Sequence, residues 1–452
     1  MAIAPPLQHS VPVPERTSTR DTGIDFVRAL CVLGVVLLHS MMVGVTVTAS
    51  GPVFENASDG TAWIAPLSWL LQVMPLFFVI AGFSGPLAYK RLRERGGTPA
   101  QFISGRIHRL LLPAVFTVGI VGAALVMLAV AGVPAELITV AGFRYAQPLW
   151  FLGVFLFCQA MLPVLIEAHR RAPLLTIGAL ASAAVSVDVI RAASGIDGLG
   201  FINLAFVWMT LQQLGFFLAD GSIGALSRRT RAFAAVTAVA ALILTFVCGI
   251  YSPDLIANIN PPTAALLLVG IAHTAVLSLL RDHLNRFSRR PAIAAFTGFV
   301  TPRTMTIYLW HMPVLLVMAG ATAIFSLLSG VALPALSSFE WWLGRPFWLA
   351  SALAITTAVV LVFARIEAHP APTAAASLRR VAVATSAGLI AVVILLVFGT
   401  TPLTACIAVL MAALALYLAQ AGSSRTAQVT SAPWPSRSAG TTATRISAMQ
   451  NT

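Results

Sequence analysis

Residues 29–40 read Ala29-Leu-Cys-Val-Leu-Gly-Val-Val-Leu-Leu-His39-Ser40, an uncharged apolar run that ends on a histidine. The run extends in both directions to about residues 26–46. A helix crosses a hydrocarbon core about 30 Å thick with roughly 20 apolar residues at 1.5 Å each. This segment is therefore read as a membrane span. Eleven more runs of the same kind follow, near residues 66–88, 110–132, 148–167, 174–190, 200–219, 232–251, 262–280, 304–328, 347–364, 381–398 and 402–420. None shows the period-two alternation of a membrane β-barrel. The sequence predicts an all-α membrane protein, a polytopic helical bundle.

Composition leads to the same class. Of 452 residues, 58% are hydrophobic and 10% charged, against about 45–50% and about 25% in soluble globular chains. So few charges cannot solvate a globule of this length, which excludes a soluble enzyme, a disordered chain and a nucleic-acid binder. The net charge of +13 reflects membrane topology rather than an acidic partner, because Lys and Arg gather in cytoplasmic loops. With the N-terminus placed in the cytoplasm, only Arg144, Arg191 and Arg345 of the 28 basic residues fall in outer segments. A missing span would invert every later loop and scramble that asymmetry. The expected placement is the plasma (inner) membrane, multi-pass, with both termini cytoplasmic.

Residues 1–22 are polar and Pro-rich and show no cleavable signal, so they are expected to form a cytoplasmic tail. Residues 421–452 are rich in Ser, Thr, Ala, Gly and Pro and are expected to be a disordered cytoplasmic tail. Cys31, Cys158, Cys248 and Cys406 each sit alone in an apolar run. They have neither metal-ligand spacing nor the density of a disulfide framework.

Polar residues at bilayer depth carry the functional information, because each is costly there. His39 lies eleven residues beyond Arg28, roughly 16 Å inward and near the bilayer centre. His311 lies eight residues beyond Arg303, in Tyr308-Leu-Trp-His-Met-Pro313, roughly 12 Å from the same face. Similar depth allows both to share one cavity; a neutral imidazole bonded between helices accounts for each equally well. Asp25 and Arg28 are spaced to pair on one helical face, as a boundary ion pair or as part of a site. Thr98-Pro99 offers an N-cap and a first-turn proline. The helix begun there would carry Arg106 and Arg109 on one face at the membrane surface. Paired guanidinium forks suit a phosphate-rich ligand; ordinary topological charge is the other reading. Pro75 is expected to break a helix and Gly82 and Gly85 to permit close backbone approach, while Trp150 reads equally as an interfacial anchor or as part of a functional segment.

In their order along the chain, five segments resemble the acyltransferase 3 family of integral membrane acyltransferases. They are Asp25-Phe-Val-Arg28 with His39, Phe77-Phe-Val-Ile-Ala-Gly82-Phe83, Phe102-Ile-Ser-Gly-Arg106-Ile-His-Arg109-Leu-Leu-Leu-Pro113, Pro148-Leu-Trp150, and Tyr308-Leu-Trp-His311-Met-Pro313. One departure is Ala81, where the family usually has serine. The resemblance spans about residues 20–367. It implies a ten-helix core over 23–367 and no tightly bound cofactor; the two additional transmembrane helices expected over 368–420 lie outside it. It further implies transfer of an acyl group, often acetyl, from cytoplasmic acyl-CoA to a hydroxyl of an envelope carbohydrate, lipid or secondary metabolite. On that basis Arg106 and Arg109, with Arg28, would hold the phosphates of acyl-CoA. His39 would be general base or an acylated intermediate, His311 would orient the acceptor or stabilise the oxyanion, and Asp25 would hold Arg28. The competing expectation is a secondary transporter of an envelope precursor or small metabolite, which twelve helices with Pro/Gly interruptions also suit.

Overall fold

The computed structural model describes residues 21–420, apart from 368, 370, 371 and 376. The expected tails over 1–20 and 421–452 lie outside the described residues. Among the described residues twelve helical stretches are long and apolar enough to cross a membrane, and each overlaps one of the twelve runs read from the sequence.

In chain order, α1 (Thr22–Met42) leads into a hairpin of β1 (Val43–Thr48) and β2 (Gly51–Asn56), paired antiparallel from Val43↔Asn56 to Thr48↔Gly51. The first span was expected to continue to residue 46, but the chain leaves the helix at Val43. From there every residue of Val43-Gly-Val-Thr-Val-Thr48 except Gly44 is β-branched, which favours a strand once the turn at Ala49-Ser50 closes. The short α2 (Ile64–Leu71) is separated from α3 (Met74–Glu94) by a break at Gln72-Val73. Pro75 sits in the first turn of α3, where its missing N–H costs nothing.

The long α4 (Pro99–Val130) begins with the anticipated cap, Thr98 and Gln101 bonding each other's backbone N–H in a reciprocal box. Then come α5 (Ala135–Ala146), α6 (Trp150–Arg171), α7 (Pro173–Ser194), α8 (Asn203–Ala219), the single turn α9 (Ser222–Ala225) and α10 (Arg228–Val247). The chain finishes with α11 (Ala265–Ser288), α12 (Pro291–Val300), α13 (Thr304–Ser329), α14 (Phe339–Glu367), α15 (Leu378–Phe398) and α16 (Pro402–Ala419). One end of the bundle carries Arg28, Arg91, Arg93 and Arg109 and is called the basic face; the opposite end carries β1 and β2 and is called the hairpin face.

Lipid is as apolar as leucine, so helices associate in a membrane through close packing rather than through burial from water. The tightest seam is between α3 and α8. A Cβ on Gly82 would collide with the carbonyl oxygen of Gln212, and one on Gly215 with that of Val79, so the two backbones touch. The α4–α16 seam uses alanine instead: Ala405, Ala408, Ala412, Ala415 and Ala419 are buried. The Ser104 hydroxyl donates to the Ala419 carbonyl at the end of this seam. Helices α15 and α16 are thus packed into the bundle against α4.

Candidate active site

The sequence puts two histidines at similar depth, and the fold brings them into contact. The rings of His39 on α1 and His311 on α13 have centroids 5.0 Å apart, tilted by 46°. His39 Nδ1 stands 3.3 Å from His311 Nε2 and 3.0 Å from the Val35 carbonyl, and His311 Nδ1 stands 2.5 Å from the Tyr308 carbonyl. Carbonyls only accept hydrogen bonds, so both Nδ1 atoms carry the proton; this tautomer is assigned from the bonding network. In neutral His311 the Nε2 is then a bare acceptor facing the His39 N–H. In neutral His39 the bare nitrogen is Nε2.

That nitrogen belongs to a side chain that lines a cavity of about 220 Å³. The cavity floor includes Cys31 and Thr304, its waist His39, Tyr308 and Met312, and its mouth on the hairpin face Phe54, Glu55, Arg144, Gln147 and Asn260. His311 is fully buried and is not part of the wall; it reaches the cavity only through His39. An orienting or oxyanion role toward an acceptor needs direct contact, which His311 lacks in this arrangement.

Sequence reading left Trp150 open between an interfacial anchor and part of a functional segment. It is an inner wall of the cavity, stacked on Trp208 with centroids 5.4 Å apart. The Tyr308 hydroxyl donates to the Pro148 carbonyl over 2.5 Å, which fixes the turn before α6 to the helix that carries His311.

Below the floor lies the arginine layer. Arg28 donates to Asp25 over 2.8 Å and to the Ser84 hydroxyl over 2.9 Å, joining α1 to α3. Cys31 is three residues further along α1, about 4.5 Å of rise. Arg106 lies over the Phe102 ring at 4.8 Å, while Arg109 is exposed. Arg28 and Arg109 are both close enough to Arg106 to repel it. Neither Arg106 nor Arg109 has a carboxylate within ion-pair distance among the described residues. The layer adjoins the cavity floor and does not line it.

A family model described as an acyltransferase domain matches residues 21–365, more than half of the chain. The chain belongs to the acyltransferase 3 family. It is a membrane acyltransferase in that general sense. No curated protein and no solved structure matches it. The matched span covers α1 to α14, with the histidine pair and the arginine layer inside it, while α15 and α16 lie beyond.

Three features of this acyltransferase escaped sequence reading. Arg144 was counted only as a basic residue on the sparse side of the topology, yet it lines the cavity mouth. Arg345 donates over 3.3 Å to the carbonyls of Ser40 and Val43 and lies 3.8 Å over the Trp341 ring; it clamps the end of α1 one residue past His39. Asp188 joins three segments: it accepts from Asn203 Nδ2 over 2.8 Å and from the Tyr251 hydroxyl and Ala264 N–H over 2.7 Å each. Burial first, and then the bond to Asp188, hold the Tyr251 phenol above its ordinary pKa. The only available signal was an acid or base in an apolar run, and spacing did not show what it touches.

Proposed function

We propose that this chain is an acyl-CoA-dependent O-acyltransferase that works across the bilayer, with His39 as general base. The observation that carries the reading is the bare Nε2 of His39, the cavity-lining member of a histidine pair whose other proton positions are fixed by carbonyls. The basic face is read as cytoplasmic from its charge, so the donor comes from that side. Arg106 and Arg109, with Arg28 nearby, meet the phosphates of acyl-CoA as bidentate donors, and Asp25 and Ser84 hold Arg28 in place. The thioester passes the Cys31 level to reach His39, and the acceptor hydroxyl arrives through the mouth on the hairpin face.

The chemistry balances in one displacement. His39 Nε2 takes the hydroxyl proton as the acceptor oxygen attacks the thioester carbonyl. The tetrahedral carbon then expels the sulfur, and the imidazolium returns the proton to the leaving thiolate, giving free CoA and an ester. While His39 is charged, its Nδ1–H points at the Val35 carbonyl and His311 Nε2, two acceptors that stabilise a cation. His311 is therefore a positioning residue. A positioned base of this kind contributes about 10²–10⁴ in rate.

The test is transfer of label from radiolabelled acetyl-CoA into membrane glycans, lipids and small metabolites, comparing the wild-type chain with His39→Ala at matched protein levels. Loss of incorporation with retained folding is expected. Undiminished incorporation removes His39 as base, and absence of any acyl-CoA turnover in the wild type favours the transporter reading.

A further inference from the structure

We infer that the acceptor carries an oxyanion, a carboxylate or phosphate group, and that Arg144 holds it at the mouth of the cavity while the acceptor hydroxyl reaches down to His39. This rests on the acyltransferase reading of the same cavity and adds to it the chemical class of the acceptor.

Three polar side chains at the mouth have no hydrogen-bond or ion-pair partner among the described residues: Arg144 at the end of α5, Gln147 just after it, and Asn260 in the loop before α11. Their neighbour Asn56 is already committed, donating to Asp59 and accepting from Ser58. The deeper wall is largely apolar, with Val35, Val36, Phe151 and Met312 among its residues, and its polar side chains besides His39 already donate to backbone carbonyls: Gln72 to Leu255, Thr304 to Thr301 and Tyr308 to Pro148. A ligand that seats here finds its polar contacts at the rim and its reacting group at the waist.

The sign of the preference follows from relative burial. Arg144 is half-buried, whereas Glu55, the acid on the same rim, is exposed and accepts a long bond from Thr46 over 3.5 Å. A charge withdrawn from water acts more strongly than one bathed in it, so the mouth favours an anion. A guanidinium fork matches carboxylate and phosphate alike, and two neutral side chains beside it can bond hydroxyls. The same guanidinium could instead meet a lipid phosphate, and that alternative has to be separated experimentally.

Binding can be read without catalysis. In the full-length Asn260→Cys protein in phosphatidylcholine nanodiscs, labelling of residue 260 by N-ethylmaleimide is followed by peptide mass spectrometry. The probes are glucuronate, glucose 6-phosphate and glucose. Glucuronate and glucose 6-phosphate are expected to slow labelling at concentrations where glucose does not. Adding Arg144→Gln is expected to weaken that protection at least about tenfold, as for loss of a charged hydrogen bond, and Arg144→Lys to weaken it less. The melting temperature of each variant guards against misfolding. Equal protection by glucose, no protection by either anion, or protection that survives Arg144→Gln overturns the proposal. So does protection by phosphatidylglycerol in the disc when the soluble anions give none, which makes Arg144 a lipid anchor. If the anions protect but His39→Ala still transfers acyl groups, the acceptor class stands and the assignment of the base falls.

Discussion

Helices α1 and α7 are alike on paper, apolar spans of 21 and 22 residues, each with an ionisable side chain toward its hairpin-face end: His39 in the last turn of one, and Asp188, with Arg191 a turn beyond it, in the other. Their surroundings differ in one respect. Both oxygens of Asp188 are occupied, by Asn203, Tyr251 and Ala264, and the group is not part of the cavity that His39 lines. His39 has one ring nitrogen bonded and the other left over in a side chain that lines an open space. An intramembrane polar group with every valence filled holds segments together. One with a valence left over beside a cavity is available for chemistry.

The largest effect should come from breaking the reactive side of this contrast. His39→Ala is expected to lower acyl transfer by about 10²–10⁴ with little change in melting temperature, measured as label incorporation per folded protein. Next is the second acceptor that faces its Nδ1–H. His311→Phe is expected to cost about 10–10² in kcat with KM for acyl-CoA nearly unchanged, while His311→Gln, which keeps an acceptor, recovers part of the loss. Further from the reacting atoms, Arg106→Gln should raise KM for acyl-CoA about tenfold with kcat largely kept. Salt should weaken the wild type's affinity in the same direction. The smallest effect on rate belongs to the saturated side. Asp188→Ala leaves buried donors unpaired at about 1–3 kcal/mol each, so the melting temperature falls while transfer per folded molecule changes little. If Asp188→Ala instead abolished transfer at full stability, the contrast between the two helices would fail.

The architecture was legible because twenty apolar residues in a row have few alternatives in water or lipid, and the matching level of the two histidines followed from counting residues at 1.5 Å each. The Asp25–Arg28 pair and the Thr98 cap were readable because they are local, settled within one turn of helix. What the sequence hid is non-local. His39 and His311 are 272 residues apart, and equal depth does not by itself put them on facing sides of two helices. Trp150 carries the same aromatic signal whether it faces headgroups or a cavity. Arg144 obeyed no motif, and its position counts only because the hairpin and the loop before α11 meet it at the mouth. The hairpin itself was masked by valines, which prolong the apolar run of α1 as readily as they begin a strand.

The bond between Ser104 and the last residue of α16 joins positions 315 apart in the chain, and Ser104 stands only two residues before Arg106. The flank of the arginine-bearing helix is therefore covered by a segment synthesised long after that helix has entered the bilayer. A chain stopped ahead of α15 would still contain every residue of the matched family domain, yet would leave that alanine-lined side bare to lipid. Completion of the surface around Arg106 thus becomes a late event in the life of the nascent protein.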